Sequence, residues 1–154
     1  MVMSSRSRFN LEHFLVKQGV EFSPKETNAK WKIQRIWREK FARTTKEATG
    51  KWAINDRDWH TFSYGYAQSL RGARAESAYA EALAEHFILA SSNEEIPFYQ
   101  CRANNLPESD LLQRLIEENP ALLDIYVFPL DLEWTMVFTH ETNIGPFFAW
   151  AESI

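Results

Sequence analysis

Cysteine, glycine and long apolar runs are scarce in this chain of 154 residues. Cys101 is the only cysteine, which excludes an intrachain disulfide and a zinc site built from cysteines. With five glycines and no GxGxxG or GxxxxGK(S/T) string, a phosphate-binding loop is not indicated. No apolar run approaches the roughly 18 residues of a membrane helix, and the first residues lack the apolar segment of a signal peptide. We therefore expect a cytoplasmic protein with no membrane segment and no cofactor.

Aromatic residues, in contrast, are abundant. Eleven Phe, six Trp and five Tyr make up 14% of the chain, and hydrophobic residues make up 45%. This composition is incompatible with a disordered or low-complexity chain and is sufficient for a packed core. We expect residues 1–154 to form a single domain.

The two signs of charge are segregated along the sequence. The net charge is −4, but residues 1–60 carry +6 and residues 61–154 carry −10. Such asymmetry is typical of a chain that meets a charged partner, or of a basic helix solvated beside an acidic remainder. The acidic part repels nucleic-acid phosphates and attracts basic proteins. The carboxylates predicted to contact such a partner are Glu94, Glu95, Asp110, Glu117 and Glu118.

The N-terminal part is predicted to be helical over residues 6–45, after a frayed start at residues 1–5. Phe9, Leu11, Phe14 and Leu15 have helical spacing within a first helix over residues 8–18.

A second helix is predicted from Pro24, with Ser23 as its N-cap and Glu26 as the capping-box partner. This basic helix, residues 24–43, has one broad apolar stripe formed by Trp31, Ile33, Ile36, Trp37 and Phe41. A loop is predicted over residues 44–58.

The remainder of the chain combines two more helices with strands. Helices are expected over residues 71–84 and 107–118, the latter as a crossover between neighbouring strands. Alternating or continuous apolar segments predict five strands: 86–90, 96–101, 123–128, 133–140 and 146–150. The fold class is therefore α+β, with N-terminal helices packed on one face of a roughly five-stranded, largely antiparallel sheet in the C-terminal half. The expected core includes Trp37, Phe41, Leu115, Val127, Trp134 and Phe138.

Four segments carry a resemblance to a known family: WHTFSYG, LRGARAESAY, FYQC and DIYVFPLDLEWTMVFTHETNIGPFF. Over residues 52–150 the chain resembles an uncharacterised small bacterial family, a domain of unknown function, with a WHxFS segment, a later YxFP-x-D-x-x-WT-x-x-x-THE strand pair and a closing GPFF. The resemblance implies an α+β core and a bacterial cytosolic protein, and it implies no activity.

His140 and Glu141, at a predicted strand end, are the best catalytic candidates, with His60 as a possible partner and Asp131 as a further member. Adjacent strand residues point to opposite faces, however, so Glu141 orients His140 only if the strand has ended. A structural histidine is the simpler interpretation. The four histidines lack metal-binding spacing, so no metal is expected.

Three functional hypotheses remain. The first is a protein-binding module, most specifically an immunity protein that neutralises a basic toxin domain without turning over a substrate. The second is an enzyme with a site at His60, His140 and Glu141. The third is a nucleic-acid-associated regulatory protein in which Trp31 and Trp37 of helix 24–43 stack on bases.

Overall fold

The computed structural model describes residues 2–53, 57–141 and 143–151. Within these ranges, six α-helices precede or separate the strands: α1 (Val2–Lys17), α2 (Thr27–Phe41), α3 (Arg43–Thr49), α4 (His60–Ser63), α5 (Ala73–Glu81) and α6 (Ser109–Glu118). A 3-10 helix spans Pro120–Leu122. The strands are β1 (Glu21–Pro24), β2 (Leu70–Arg71), β3 (His86–Ser91), β4 (Tyr99–Arg102), β5 (Asp124–Pro129), β6 (Trp134–Thr139) and β7 (Phe147–Trp150).

The seven strands of the described residues join one antiparallel sheet in the order β1-β4-β3-β5-β6-β7-β2. The five predicted strands are β3 to β7, and the α+β class is confirmed. The two additional strands, β1 and β2, lie at the sheet edges. β2 has only two residues, and the four residues of β1 include Ser23 and Pro24, which carry the local signature of a helix start.

Helices cover both faces of the sheet rather than one. Leu15 of α1, Tyr79 of α5 and Leu115 of α6 pack on one face with Trp134 and Phe138. On the other face, Trp37 and Phe41 of α2 and Phe62 of α4 pack against Val137 and Phe147. Both faces are buried because the central strands carry apolar residues at nearly every position.

The apolar residues of β6 alternate between the two core clusters. Trp134, Met136 and Phe138 belong to one core cluster, and Val137 belongs to the other. All six residues expected in the core are buried: Trp37, Phe41, Leu115, Val127, Trp134 and Phe138.

The predicted capping box at Ser23 is wrong. Ser23 and Pro24 pair with Gln100 and Tyr99 of β4, so this segment is an edge strand. Proline is tolerated there because an edge strand has one side without a ladder. The N-cap of α2 is Glu26, whose side chain makes no capping hydrogen bond.

Two other N-terminal expectations also differ from the structure. α1 begins at Val2, so it includes most of the residues expected to fray. α3 occupies residues 44–49 of the predicted loop over residues 44–58, and its C-cap is Gly50, which has φ 79°. The hydroxyl of Thr45 donates to Thr61 Oγ1 at 2.7 Å, a contact that is distant in sequence and stabilises a helix of low intrinsic propensity. Residues 54–56 of that predicted loop lie outside the described residues.

α6 is a crossover helix, as predicted, but the two strands that it connects, β4 and β5, are not neighbours in the sheet. β3 lies between them and pairs with both. α6 thus passes over one strand and brings the chain from one side of β3 to the other.

None of the helices within the described ranges is long and apolar enough to cross a membrane.

Candidate functional site

A buried carboxylate, Asp124, lies at one end of the central strands β3, β5 and β6. Asp124 is the first residue of β5 and pairs with Thr139, the last residue of β6. β3 ends at Ser91 on the other side of β5. Because both neighbours run antiparallel to β5, the residues that follow them, Ser92 and His140, are placed beside Asp124.

Four hydrogen bonds converge on this carboxylate. Trp59 Nε1 and Ser92 Oγ donate to Oδ2 at 2.9 and 2.8 Å. The backbone N of His140 donates to Oδ1 at 3.2 Å, and its Nδ1 lies 3.0 Å from the same oxygen. Arg57 Nε is 3.8 Å from Oδ2. This donor set compensates the desolvation of a carboxylate that is 0% exposed.

The contact with Asp124 determines the tautomer of neutral His140. An ionised carboxylate only accepts hydrogen bonds, so the imidazole proton resides on Nδ1 and the lone pair on Nε2. The side chain of His140 is 43% exposed. His140 is therefore a positioned imidazole, and Asp124, not Glu141, orients it.

The charges of Glu141, Asp124 and His140 act on the ring of His60. His60 Nδ1 is 2.7 Å from Ser63 Oγ, and its ring packs against Trp59 and Tyr64. Desolvation lowers the pKa of His60, while Glu141 and Asp124 oppose that shift.

Asp131 is not part of this group. It lies in the turn between β5 and β6, at the opposite end of the strands from Asp124, about 20 Å away along six residues of strand. Its Oδ1 accepts from the backbone N of Glu133, a role confined to the turn. In the described part of the chain, no group of three His, Cys, Asp or Glu side chains could hold a metal ion.

A second polar layer connects the buried carboxylate to α2. Tyr126, in β5, accepts a hydrogen bond at its hydroxyl from the backbone N of Trp59 at 3.1 Å. Asp58 accepts from Gln34 Nε2 at 3.0 Å and from Arg38 Nε at 2.8 Å. Burial raises the pKa of Tyr126, so its hydroxyl stays protonated.

The side chains of the second layer line an open cleft of about 1630 Å³ beside α2. Trp31, Arg35 and Arg38 line its helical wall, and Trp52, Asp58 and Tyr126 line the opposite side. Neither His60 nor His140 is among the described residues that line it. The imidazoles of His60 and His140 therefore do not face this cleft.

The five predicted partner-binding carboxylates are exposed, and Asp110 lies apart from the other four. Glu94 and Glu95 follow Asn93, whose Nδ2 donates to Ala121 O at 2.8 Å in the 3-10 helix. Glu117 and Glu118 end α6 immediately before that 3-10 helix. Asp110 lies in the first turn of α6, about 10 Å from Glu117 along the helix axis.

Sequence reasoning missed Asp124, Ser92 and Arg57. The one available signal was Asp124 itself, a carboxylate that directly precedes the apolar strand IYVFP. Its partners could not be recognised, since they lie 16 to 67 residues away and meet it only through strand pairing and through residues 57–59, which precede α4.

The nucleic-acid hypothesis required both Trp31 and Trp37 to be accessible. Trp31 is 63% exposed, but Trp37 is 3% exposed and donates its Nε1 to Thr135 Oγ1 at 3.0 Å. The predicted apolar stripe of α2 is therefore wrong at Trp31 and at Ile36, which is 42% exposed.

Comparison with known proteins agrees with the resemblance and extends it towards the N-terminus. No curated protein and no solved structure matches this sequence significantly. A family of unknown function, described as domain of unknown function DUF4275, matches residues 14–148. That match includes the whole of α2, residues 57–59 before α4, and the strand ends around Asp124. The chain belongs to the DUF4275 family.

Proposed function

We propose that this protein acts in the cytoplasm by binding another protein, and that it is an immunity protein that neutralises a basic toxin domain. The observation that carries the proposal is the acidic edge, defined as Glu94, Glu95, Glu117 and Glu118. All four side chains are exposed, and the two pairs flank the same 3-10 helix.

The acidic edge has the physical properties of a steering surface. Four carboxylates at one end of the molecule produce a negative field that accelerates the approach of a basic partner. Asp110 extends that field along the exposed side of α6. Exposed aromatic side chains elsewhere, such as Tyr64 and Trp150, add area suited to protein contacts.

The arrangement at Asp124 also favours binding over turnover. Each of its contacts stabilises the place where β3, β5 and β6 meet the segment that precedes α4. A structural role therefore accounts for the hydrogen bonds of Trp59, Ser92 and His140 to Asp124. We therefore propose that the protein is not an enzyme.

Co-expression with the toxin domain encoded by an adjacent gene tests the proposal. We expect the protein to protect the cells and to co-purify with the toxin. Charge reversal by Glu94→Lys with Glu95→Lys, or Glu117→Lys with Glu118→Lys, should slow association about tenfold at low salt and much less at high salt. Glu133→Lys is the matched control, because Glu133 is exposed in the turn before β6, far from the acidic edge.

Absence of both protection and complex formation would overturn the proposal, as would an adjacent gene that encodes no toxin. Equal slowing by Glu133→Lys would show that only net charge matters and that the acidic edge is not the contact surface.

The enzyme hypothesis retains one specific observation, the imidazole of His140 with its Nε2 lone pair directed by Asp124. Under that alternative, His60 and Glu141 would assist proton transfer at the same surface. The enzyme hypothesis would replace the binding proposal if the wild-type protein turned over a substrate and gave the cells no protection. In that case His140→Gln should abolish the turnover while the variant remains folded.

A further inference from the structure

The end of β7 is uncovered beside α5. β2 pairs only with Phe147 and Phe148 of β7, so Trp150 extends past this short edge strand. The rings of Trp150 and Phe148 are in contact, with centroids 5.0 Å apart, and Phe148 belongs to the core cluster that includes α5. Trp150 is nevertheless 60% exposed. The aromatic layer of that face of the sheet therefore continues from the core to the surface.

Trp150 forms one side of a groove of about 720 Å³, which we call the α5 groove because α5 forms its other side. The buried rings of Trp134 and Phe148 lie deepest in it and stack with centroids 5.4 Å apart. Leu83, which follows α5, also lines the groove and is 89% exposed. Large apolar side chains left open around an apolar groove are typical of a surface that another protein surface covers.

The charges in the α5 groove select the kind of partner. Arg74 and Glu81 are the only charged residues that line it in the described part of the chain. Both are exposed, and neither forms an ion pair with another described side chain. They lie seven residues apart on the same side of α5, about 10 Å along the helix axis, so they cannot pair with each other. A partner of a single sign would be attracted by one of them and repelled by the other.

We propose that the α5 groove binds α5 of a second copy of this chain, so that the protein forms a two-fold symmetric dimer. A two-fold axis between Ser77 and Ala78 makes the two α5 helices antiparallel and places Arg74 of each copy opposite Glu81 of the other. A symmetric interface must be self-complementary, and the pair Arg74 and Glu81 meets that condition with two ion pairs.

The same arrangement covers the exposed apolar side chains. Ala73 and Ser77 are small and exposed, so the two helices can approach closely. Trp150 and Leu83 of each copy then lie against the other copy and are removed from water. Because the contact is limited to one short helix and the end of one strand, we expect a weak dimer, with a dissociation constant between about 1 and 100 µM.

The α5 groove and the acidic edge lie at opposite ends of the central strands. Trp150 pairs with Trp134, the first residue of β6, whereas Asp124 pairs with Thr139, the last. Residues 94–95 follow β3, which ends on the side of Asp124. Dimerisation through α5 therefore leaves the acidic edge accessible, and the proposal is independent of the immunity role.

Sedimentation equilibrium of the full chain at low ionic strength, between about 1 and 500 µM, tests the proposal. We expect dimers that dissociate on dilution. Arg74→Glu and Glu81→Arg each place like charges opposite one another, so each should weaken dimerisation about tenfold or more. Trp150→Ala should weaken it by a similar factor. Trp31→Ala and Arg35→Glu are the matched controls, because both residues are exposed on α2 and neither lines the α5 groove.

The two charge variants also test the antiparallel pairing itself. Mixing Arg74→Glu chains with Glu81→Arg chains brings opposite charges together at both ends of the helix pair. The mixture should therefore form heterodimers, with a dissociation constant within about threefold of the wild-type value, although each variant alone associates weakly. Circular dichroism should show every variant to be folded, since all the substituted residues are exposed.

A protein that stays monomeric up to about 500 µM would overturn the proposal. So would a dimer that the α5 variants weaken no more than the α2 controls do, because its interface would then lie elsewhere. A mixture of the two charge variants that associates no better than either variant alone would exclude the antiparallel pairing of α5 and thus the proposal.

Discussion

The Nδ1 atom of His140 lies 3.0 Å from Oδ1 of Asp124, a carboxylate with no exposed surface. The pair joins the end of β6 to the start of β5, and Trp59 and Ser92 complete the set of donors. One buried charge thereby connects three strands and the loop that precedes α4. Removing that charge should affect the fold more than any exposed carboxylate does.

Asp124→Asn should lower the free energy of unfolding by about 2–4 kcal/mol. The substitution replaces an acceptor by an amide nitrogen that faces donors, so at least one buried donor is left unsatisfied. Urea denaturation monitored by tryptophan fluorescence measures the change. Asp131→Asn is the control and should shift stability by less than about 0.5 kcal/mol, because the asparagine oxygen can still accept from Glu133 in an exposed turn. Equal effects of the two substitutions would contradict the anchoring role of Asp124.

Trp37 and Trp31 lie on the same helix and should respond in opposite ways to truncation. Trp37→Ala removes a buried indole and its hydrogen bond to Thr135, so we expect a loss of about 3–5 kcal/mol. Trp31→Ala should change stability by less than about 1 kcal/mol, because the ring is largely exposed. Thermal and urea unfolding of the two variants provide the comparison. A large loss for Trp31→Ala would mean that this ring packs on the protein in solution.

His60 should contribute to the loss of stability at acidic pH. Desolvation lowers the pKa of His60 in the folded protein, whereas the unfolded imidazole has an ordinary pKa near 6.5. The unfolded state therefore binds the proton more readily. The stability associated with neutral His60 is complete above about pH 6.5 and is lost as the pH falls through the folded pKa.

Urea unfolding of the wild type and of His60→Gln between about pH 7.5 and pH 5 tests this dependence. We expect a smaller loss of stability on acidification for the variant than for the wild type. His13→Gln, at an exposed position of α1, should retain the wild-type pH dependence. Identical pH profiles for wild type and His60→Gln would disprove the assignment.

Cys101 should be inert to thiol reagents in the folded protein. Desolvation raises the pKa of its thiol to about 12, and only 1% of the residue is exposed. At neutral pH the reactive thiolate is therefore scarce and inaccessible. A chromogenic disulfide reagent should modify Cys101 only as urea unfolds the chain, with a midpoint that follows the loss of circular dichroism. Rapid stoichiometric modification without denaturant would show that β4 opens locally.

The core was predictable where its residues follow a local period. Trp134, Met136 and Phe138 alternate with Thr135 and Val137, so their phase in β6 could be read without knowing the neighbouring strands. The edge strand β1 could not be assigned in the same way. Ser23 and Pro24 have the local signature of a helix start, and their pairing with β4 depends on residues more than 70 positions away.

The sequence by itself determined the α+β class, the five strands β3 to β7 and the residues that form the core, because each depends on hydrophobic periods contained in a few consecutive residues. Only the tertiary structure decided which carboxylate is buried, which tryptophan of α2 is exposed and which residues face the cleft. Asp124 meets Trp59, Ser92 and His140 through the pairing of separate strands, and no local pattern records such a pairing. The candidate site is therefore a product of strand order, while the core that supports it follows from composition and spacing.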